Sequence, residues 1–317
     1  MGFDHWCCLL LDTDLLVNHI LRFLSLTASK AGAINTHEFR HQSQGQTIDI
    51  NNKVALITGA GSGIGQATAI ELAKRGARAI ALADIELEGL EHTTKLIRNT
   101  GTEVLAERID VSNTEQIAGF FELTERQLGC PNIIHNNAGT ICGEPIWPNT
   151  PLEKMTQVVS VNLLGVLYGN SIGIEMMAAN GGGVIVNTAS TAALGPMPTD
   201  PVYSGTKAAI VNLTQSCAGL SQSHNIRVNA VLPGMVTTPF IKRTGDGKQP
   251  AAWLKPMLGQ IPMLSADQIA EGIIQLVLDQ SSAGACLVIE NPTELGGPPL
   301  KTLLPDAKSF YRYQLSR

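Results

Sequence analysis

Apolar and polar positions alternate in regular blocks from residue 53 onward. Short runs that are apolar at most positions are separated by longer segments whose apolar residues recur at helical spacing. Short, continuously apolar runs are typical of strands that are covered on both faces, as in a parallel sheet. They predict strands at 54–58, 79–84, 103–109, 132–135, 183–189, 226–232 and 285–289. The intervening segments predict helices at 64–75, 86–99, 113–128, 152–179, 202–223 and 266–280. The alternation predicts an α/β fold of the Rossmann type, a doubly wound parallel sheet with helices on both faces.

The first 50 residues have a different pattern. Residues 9–26 are rich in leucine, and the apolar spacing between residues 14 and 26 suits an amphipathic helix. Charged residues interrupt this segment, which argues against a membrane span, and Asp4 stands where a signal peptide would carry basic residues. Three roles stay open for residues 1–50: a membrane-surface or organelle-targeting segment, a helix docked on the domain, and a disordered or mistranslated extension. The polarity of residues 27–50 favours a poorly ordered extension, because such a segment has little to bury.

Composition narrows the remaining possibilities. The chain has 317 residues, of which 44% are hydrophobic and 15% are charged, enough for one substantial core. We therefore expect a single domain over residues 51–292, followed by a tail at 293–317 that covers a neighbouring subunit or is solvated. A net charge of −5 without a basic cluster argues against nucleic acid as a partner. The six cysteines lack the spacing of a zinc site, so no metal is expected. The expected location is the cytoplasm, with organelle targeting by residues 1–50 left open.

A glycine-rich turn follows the first predicted strand. Residues 58–65 read Thr-Gly-Ala-Gly-Ser-Gly-Ile-Gly and lead directly into the first predicted helix. Glycines let the backbone turn sharply and approach a pyrophosphate, and the helix offers unpaired N–H groups and the positive end of its dipole. The turn therefore predicts a nucleotide site, and the residues expected to contact the cofactor are Gly59, Ser62, Gly63, Ile64 and Gly65. A glycine loop without a ligand is the alternative.

Asp84 closes the second predicted strand, about 20 residues after the glycines, which an empty loop would not explain. A carboxylate at this position can accept hydrogen bonds from both ribose hydroxyls and would repel a 2′-phosphate. Ser62, Ile85 and Glu86 supply no cation that could hold such a phosphate. These residues predict NAD as the cofactor in preference to NADP.

The next two predicted strands also end in residues suited to a cofactor. Asp110 and Val111 could hold an adenine by its amino group and its face, although an aspartate at position 110, taken alone, is more often an ordinary cap for the helix beginning near Asn113. The following strand ends in Asn136-Asn137-Ala138-Gly139. Small residues there let the backbone approach the cofactor while the amide side chains tie adjacent strands together. A plain turn is the alternative.

Tyr203 and Lys207 lie four residues apart in a predicted helix, after a strand that ends at Ser190. Residues at this spacing share one face of a helix, so the ammonium group and the phenol can face the same cavity. A nearby cation favours the phenolate and lowers the pKa of a tyrosine from about 10 toward the neutral range. The pair is therefore a candidate acid/base group, whereas the same spacing on an ordinary surface helix carries no function.

Together these residues resemble the short-chain dehydrogenase/reductase family of the Tyr-x-x-x-Lys type. The resemblance runs from about Lys53 to Glu290, and its motifs are Thr58-Gly-x-x-x-Gly-x-Gly65, Asp110, Asn136-Asn-Ala-Gly139, Asn162, Ser190, Tyr203-x-x-x-Lys207 and Pro233-Gly234. It implies strand order 3-2-1-4-5-6-7, with NAD lying across the strand ends. Tyr203 would be the general acid/base, Ser190 would polarise the substrate oxygen, and Lys207 would bind the nicotinamide ribose and assist Tyr203.

The resemblance assigns further roles. Asn162 would hold a water that passes protons from Lys207 to solvent, and the stretch Pro233, Gly234, Val236 and Thr238 would fix the nicotinamide. A substrate lid is expected at about 237–264, where glycines and prolines alternate with Phe240, Trp253 and Leu254. The apolar side chains suggest a lipophilic alcohol, unless they only pack the lid itself. A homodimer or homotetramer is expected through the helices at 152–179 and 202–223.

The resulting hypothesis is an NAD-dependent oxidoreductase that interconverts a secondary alcohol and a ketone. Within the family, the strand end at 83–86 and the stretch 284–289 loosely resemble the NAD-dependent hydroxyprostaglandin dehydrogenase branch. Two alternatives stay open: an NADPH-dependent biosynthetic ketoreductase and a non-catalytic dinucleotide-binding sensor or assembly protein.

Overall fold

The computed structural model describes residues 49–258 and 261–291, together with two short strands further along the chain. Residues 1–48 lie outside the described part of the chain, and with them the roles considered for the N-terminal extension. Most of the tail at 293–317 lies outside it as well.

One sheet runs through the described residues. Its seven parallel strands are β1 Val54–Thr58, β2 Ala79–Asp84, β3 Glu103–Arg108, β4 Ile133–Asn136, β5 Gly183–Thr188, β6 Ile226–Pro233 and β7 Cys286–Ile289. They lie in the order β3-β2-β1-β4-β5-β6-β7, so the predicted order 3-2-1-4-5-6-7 is confirmed. Two short strands that the sequence did not predict, β8 Leu300–Leu303 and β9 Tyr313–Gln314, continue the sheet in antiparallel pairing beyond β7. These two strands are the described part of the tail, and they make the sheet nine-stranded.

Helices cover both faces of the sheet. They are α1 Gly63–Lys74, α2 Leu87–Arg98, α3 Thr114–Leu128, α4 Leu152–Val159, α5 Gly165–Ala179, α6 Pro201–Ser216, α7 Leu220–His224, α8 Lys255–Leu258 and α9 Ala266–Leu278. Short 3-10 helices occur at Thr191–Leu194 and Pro239–Thr244.

Two predicted helices are interrupted. The helix predicted at 152–179 contains a π-helical stretch, Ser160–Leu164. Inside this stretch the side chain of Asn162 forms hydrogen bonds with the backbone of Thr140. The helix predicted at 202–223 ends at Ser216, and α7 begins after a turn that contains Gly219. Apolar periodicity alone marked neither interruption.

Side chains from alternate positions of the strands enter two apolar layers. Ile57 and Leu82 pack with Leu72 of α1 and Ile273 of α9 on one face. Leu56 and Ile134 pack with aromatic and sulfur side chains on the other face: Phe120, Phe121 and Met177. All of these are buried, and each such burial contributes about 1.5–3 kcal/mol.

The stretch Leu152–Ala179 is the one helix of the described residues whose length and mean hydropathy, 1.3, would suit a membrane span. The buried face of α5 lies against the sheet, where Gly173 leaves no room for a Cβ beside Ile134. The apolar composition of this stretch is therefore explained by its packing against the sheet in the core of the domain.

The loops that follow the parallel strands meet at the carboxyl edge of the sheet, where doubly wound folds bind ligands. They surround a large cavity of about 970 Å³. The sheet therefore brings the ends of strands that are distant in sequence into one site.

Candidate functional site

The cavity gathers nearly all of the predicted site residues. Its walls include the following members of the predicted set: Gly59, Ser62, Gly63, Ile64, Asp84, Asp110, Val111, Asn137, Ala138, Gly139, Ser190, Tyr203, Lys207, Pro233, Gly234, Val236 and Thr238. Gly65 and Asn162 are not among the lining residues, and both support those that are.

The glycine turn has the conformation that its sequence requires. Gly59 and Gly63 have φ values of 64° and 54°, in the left-handed region that favours glycine. A Cβ on Gly65 would meet the carbonyl oxygen of Gly59, and a Cβ on Gly63 would lie 3.0 Å from the Thr238 methyl group. Because α1 begins at Gly63, its first N–H groups have no partner within the helix. The turn therefore fits a diphosphate, with Thr238 opposite.

Asp84 is held in place by two backbone amides. Its Oδ2 accepts a hydrogen bond from Gly61 N–H at 2.8 Å, and its Oδ1 accepts one from Glu86 N–H at 3.0 Å. Each carboxylate oxygen keeps a second lone pair for a ribose hydroxyl. Arg108, which the sequence reasoning missed, pairs with Asp84 across the strands and donates from Nε to the Ile85 carbonyl at 3.0 Å. Arg108 is brought beside Asp84 by the register between β2 and β3, which the sequence alone does not reveal.

Asp110 is not the cap of α3. Its Oδ1 accepts hydrogen bonds from the Ser112 N–H and hydroxyl, at 2.9 and 2.7 Å, while Asn113 caps the helix by accepting from Gln116 N–H. The capping alternative is therefore wrong, because Asn113 already occupies the N-cap position. Asp110 shapes the turn that presents Val111 to the cavity.

Asn137 ties three strands together beneath the glycine turn. Its Nδ2 donates to the carbonyl oxygens of Thr58 and Gly59 at 3.1 and 3.0 Å, and its Oδ1 accepts from the Thr188 hydroxyl at 3.2 Å. Asn136 joins β4 to β5 by donating to Asn187 at 3.0 Å. The amide side chains thus link adjacent strands, as the sequence predicted.

His135 extends this network, and the sequence reasoning missed it. Its Nε2 lies 2.8 Å from the Thr188 hydroxyl oxygen, and the ring is buried. Because that hydroxyl donates to Asn137, it accepts from His135, so Nε2 carries the proton. Burial lowers the pKa of His135 to about 3, which keeps the ring neutral. The only sequence signal was a histidine inside an apolar strand.

Asp200 fixes the start of α6, which carries Tyr203. Its Oδ1 accepts from Tyr203 N–H at 2.9 Å, and its Oδ2 accepts from Cys142 N–H at 2.8 Å. The sequence reasoning missed this residue, although an aspartate immediately before Pro201 is a typical N-cap signature. Asp200 therefore joins the start of α6 to the loop after β4.

Ser190, Tyr203 and Lys207 converge at one end of the cavity. The buried Tyr203 has its hydroxyl near the side chain of Ser190, whose oxygen accepts from Ala192 N–H at 3.1 Å and donates to the Pro233 carbonyl at 3.5 Å. Lys207 Nζ lies 5.7 Å from the centre of the Tyr203 ring and donates to the Thr188 carbonyl at 2.7 Å. The predicted sharing of one face by the tyrosine and the lysine is what the geometry shows.

The pKa of Tyr203 differs from the expectation. Burial raises it to about 12, with Asp200 adding to the rise and the Ser190 hydrogen bond opposing it. The prediction of a lowered pKa is therefore wrong for the protein alone, because removing the phenol from water raises the pKa of Tyr203. Burial also lowers the pKa of Lys207 to about 8.

Asn162 lies beside Lys207 without a direct bond to it. Its Oδ1 accepts from Thr140 N–H and its Nδ2 donates to the Thr140 carbonyl, both at 2.8 Å. A Cβ built on Gly139 would lie 3.5 Å from Asn162 Oδ1 and 3.7 Å from Lys207 Nζ. The two side chains therefore flank Gly139, and the water-holding role of Asn162 stays a prediction.

The loop after β6 is fixed by Asn291, another residue that the sequence reasoning missed. Asn291 accepts from Met235 N–H and donates to the Met235 carbonyl, both at 2.7 Å. Val236 forms a parallel bridge with Leu264 through its flanking peptide groups, so its own N–H points away from that partner. This leaves the Val236 backbone available to the cavity.

The predicted lid contains short helical segments. The 3-10 helix Pro239–Thr244 places Phe240 against Tyr203, with ring centres 6.1 Å apart. Ile141 and Met197 pack in the same apolar cluster as Tyr203 and Phe240. Other apolar side chains that line the cavity are Val161, Trp253, Leu254 and Leu258. The space next to Ser190 and Tyr203 therefore suits an apolar organic molecule.

An adenosine-diphosphate cradle joined to a serine, tyrosine and lysine cluster defines a dinucleotide-dependent oxidoreductase. Residues 53–249 match the sequence model of the short chain dehydrogenase family. The chain belongs to this family.

Two curated relatives illustrate its range. The chain is 33% identical over 255 residues to bovine (Bos taurus) 15-hydroxyprostaglandin dehydrogenase [NAD(+)], covering 76% of this chain and 92% of the relative. It is 32% identical over 232 residues to cyclohexanol dehydrogenase of Acinetobacter sp. strain SE19, covering 73% and 90%. The hydroxyprostaglandin branch is thus among the relatives, next to an enzyme with a different substrate at similar identity.

Two solved structures have the same fold with different cofactors. The 3-ketoacyl-(acyl-carrier-protein) reductase of Brucella melitensis complexed with NADH has a TM-score of 0.68 at 29% identity, covering 76% of this chain and 98% of that one. The L-sorbose reductase of Gluconobacter frateurii complexed with NADPH and L-sorbose has a TM-score of 0.69 at 28% identity, covering 79% and 100%. The family relationship therefore fixes a nicotinamide dinucleotide without deciding which one.

Proposed function

We propose that this protein interconverts a secondary alcohol and a ketone on an apolar small molecule, using NAD. The observation that carries the proposal is the convergence of Ser190, Tyr203 and the buried Lys207 on one dinucleotide-sized cavity, with Lys207 Nζ 5.7 Å from the centre of the Tyr203 ring. Bound NAD supplies the hydride acceptor for alcohol oxidation. The protein supplies the proton transfer, the orientation of the oxygen and the exclusion of water.

Tyr203 is the proposed general acid/base. Its hydroxyl is placed to exchange a proton with the substrate oxygen, while Ser190 holds that oxygen by a second hydrogen bond. A phenol with a pKa of about 12 is protonated at neutral pH and is ready to donate to a ketone. In the oxidative direction the phenolate must form first, and the cation of Lys207, which is present below a pKa of about 8, stabilises it.

The replacement Tyr203→Phe tests the assignment. We expect kcat to fall on the order of 10³-fold, because the acid/base group is lost, while NAD affinity stays within a few fold. The measurement is NADH formation with a panel of secondary alcohols, including steroids and hydroxy fatty acids, with NAD affinity determined by calorimetry. The panel is measured with and without residues 1–50.

A substantial rate in the Tyr203→Phe variant would reject Tyr203 as the acid/base. The non-catalytic alternative predicts no turnover in the native protein with any alcohol or ketone.

The NAD preference is proposed from Asp84, because a carboxylate that lines the cavity beside the glycine turn would repel a 2′-phosphate. Arg108, which is paired with Asp84 in the strand register, donates to the Ile85 carbonyl. We expect Asp84→Ala combined with Ile85→Arg to shift the ratio of kcat/KM toward NADP by at least tenfold, because a repulsion is replaced by an attraction.

Arg108→Gln is the control variant, because Arg108 is a native cation paired with Asp84 in the strand register, in addition to the arginine introduced at position 85. An unchanged cofactor ratio in the double variant would mean that Asp84 does not bind the ribose. It would also favour the NADPH-dependent ketoreductase alternative.

A homodimer or homotetramer and a cytoplasmic location remain predictions. Gel filtration of the purified chain and imaging of a tagged chain test them.

A further inference from the structure

His135 and Thr188 form a polar pair at the end of two apolar columns of side chains. Side chains two residues apart in a strand point to the same face of the sheet. His135 therefore follows the buried Ile133 in β4, and Thr188 follows the buried Val186 in β5. Both polar side chains are buried, with exposed fractions of 1% and 8%. Of the two, Thr188 lines the cavity and His135 lies behind it.

The stability of the domain does not explain a histidine at this position. The Nδ1 atom of His135 is buried and has no hydrogen-bond partner in the part of the chain that the structure describes. Burial also holds the ring neutral by lowering the pKa of His135 to about 3. Both effects make a buried imidazole unfavourable, whereas a valine or leucine would continue the apolar column without either. Residues that weaken the fold in this way are expected at functional sites.

The hydrogen bond from His135 joins β4 to β5 just beyond the last backbone pair of the two strands. Their ladder ends at Asn136 and Asn187, one residue before Thr188. From there the chain leaves both strands for loops that line the cavity, and side chains connect them. His135 Nε2 lies 2.8 Å from the Thr188 hydroxyl oxygen, and that hydroxyl donates to Asn137 at 3.2 Å. These two bonds therefore help to set the position of Thr188 relative to β4.

Thr188 carries this link to the acid/base end of the site. Its carbonyl oxygen accepts a hydrogen bond from Lys207 Nζ at 2.7 Å, and within the described ranges it is the one hydrogen-bond acceptor of that ammonium group. Lys207 Nζ in turn lies 5.7 Å from the ring centre of Tyr203. A displacement of Thr188 therefore moves the cation relative to the phenol. Misplacement of a reacting group by about 1 Å can lower a rate about 10²-fold.

The Thr188 hydroxyl also connects the pair to the glycine turn. Asn137 Nδ2 donates to the carbonyl oxygens of Thr58 and Gly59, so Asn137 Oδ1 is left to accept the hydrogen of the Thr188 hydroxyl. The oxygen of that hydroxyl then accepts from a donor of its own, which is His135 Nε2–H. Each member of this chain of hydrogen bonds thus has one arrangement, and His135 is the donor at its start.

We propose that His135 is a positioning residue for the dehydrogenase reaction: through Thr188 it holds the carbonyl that binds Lys207 and the amide that supports the glycine turn. Its effect reaches the acid/base group and the cofactor site without contact with either. The inference rests on the proposed function, because it assigns the geometry of that same site to a residue behind it.

Two replacements of His135 test the proposal. His135→Leu keeps a buried side chain and removes the donor, whereas His135→Gln keeps an N–H donor with a reach similar to that of Nε2. We expect His135→Leu to lower kcat by about tenfold or more and to weaken NAD binding several-fold, and His135→Gln to restore kcat to within about threefold of the native value. His92→Leu, which makes the same replacement at an exposed histidine of α2, should keep the native kcat. NADH formation and calorimetry with NAD make these measurements.

The acceptor side of the bond supplies an independent check. Thr188→Val keeps the shape of the side chain and removes its hydroxyl, so it breaks the same bond from the other end. Because His135 acts through this hydroxyl, His135→Leu should have no further effect on kcat in the Thr188→Val background. Losses that multiply in the double variant would overturn the proposal. Native kcat in Thr188→Val would overturn it too, and that variant decides the test if His135→Leu does not fold.

Unfolding in urea separates positioning from a structural role. At pH 8 the ring is neutral in the folded and the unfolded protein, so its burial adds no pH-dependent cost. A purely structural residue would lower the urea midpoint of His135→Leu while the folded variant kept native kcat and NAD affinity, and that result would refute positioning. The same conclusion would follow if His135→Gln lost as much activity as His135→Leu.

The affinity for NAD distinguishes failure of this proposal from failure of the function on which it rests. A native protein that binds NAD but oxidises none of the alcohols in the panel would refute the dehydrogenase. Weaker NAD binding in His135→Leu but not in His92→Leu would then still support the positioning role. Turnover in the native protein, with unchanged kcat and NAD affinity in His135→Leu, would keep the dehydrogenase and refute the positioning role.

Discussion

Single residues decide which strand-end groups face the cavity and which support them. Asp84 and Asp110 both lie at strand ends, and both carboxylates accept hydrogen bonds from backbone N–H groups. Their orientation is therefore fixed before any ligand binds. His135 and Asp200 lie behind the residues that line the cavity. His135 is hydrogen-bonded to Thr188, and Asp200 caps the start of α6. The substrate end thus depends on residues that touch neither substrate nor cofactor.

Burial of a neutral imidazole makes one residue a measurable source of acid sensitivity. The pKa of His135 is lowered to about 3, whereas an unfolded histidine titrates near 6.5, so the unfolded state binds an extra proton as pH falls below 6.5. Stability is unaffected by this group above pH 6.5 and declines between 6.5 and 3. The free energy of unfolding falls by about 1.4 kcal/mol per pH unit, which amounts to about 2 kcal/mol at pH 5.

We expect His135→Leu to flatten the pH dependence of unfolding by that amount, measured by urea titration between pH 7 and 5. His92→Gln, which changes an exposed histidine of α2, is the control. Identical slopes for the native protein and His135→Leu would show that the buried ring does not resist protonation.

At the scale of elements, the glycine turn, α1 and the residues after β4 are in direct contact. Gly65 belongs to α1, yet the space of its missing Cβ is taken by the Gly59 carbonyl and, at 2.6 Å, by Asn137 Nδ2. One helix, one turn and one strand end therefore meet at a point that admits no side chain. The helix is positioned by this close approach as well as by its buried apolar face.

Replacing Gly65 by alanine tests whether this glycine is needed for the stability of the domain and for the binding of NAD. Gly65→Ala is expected to lower the free energy of unfolding by about 1–3 kcal/mol and to weaken NAD binding strongly, because backbone must move. Gly119→Ala is the matched control, since Gly119 lies in α3, is exposed and has no heavy atom within 4 Å of its missing Cβ. That replacement should raise stability by about 0.5–1 kcal/mol.

Calorimetry with NAD and thermal unfolding of the two variants make the comparison. Normal NAD affinity in Gly65→Ala would mean that the turn tolerates displacement.

At the scale of the whole molecule, the doubly wound sheet places chemistry and recognition at one edge. The diphosphate turn and the tyrosine helix are separated by more than a hundred residues in the chain, yet both line the same cavity. The sheet also continues past the predicted seven strands through β8 and β9, in the segment that the sequence assigned to a tail.

The sequence by itself determined the strand order through the family resemblance, and it located the glycine turn, Asp84 and the Tyr203–Lys207 pair, because each depends on local spacing. It could not give Asn291, Arg108 or the His135 contact, since these bonds join residues that are far apart in sequence or in neighbouring strands. It also misjudged the pKa of Tyr203, because spacing reveals a nearby cation but not the burial that raises this pKa. Only the tertiary structure fixes burial and register, and these decide the electrostatics of the site.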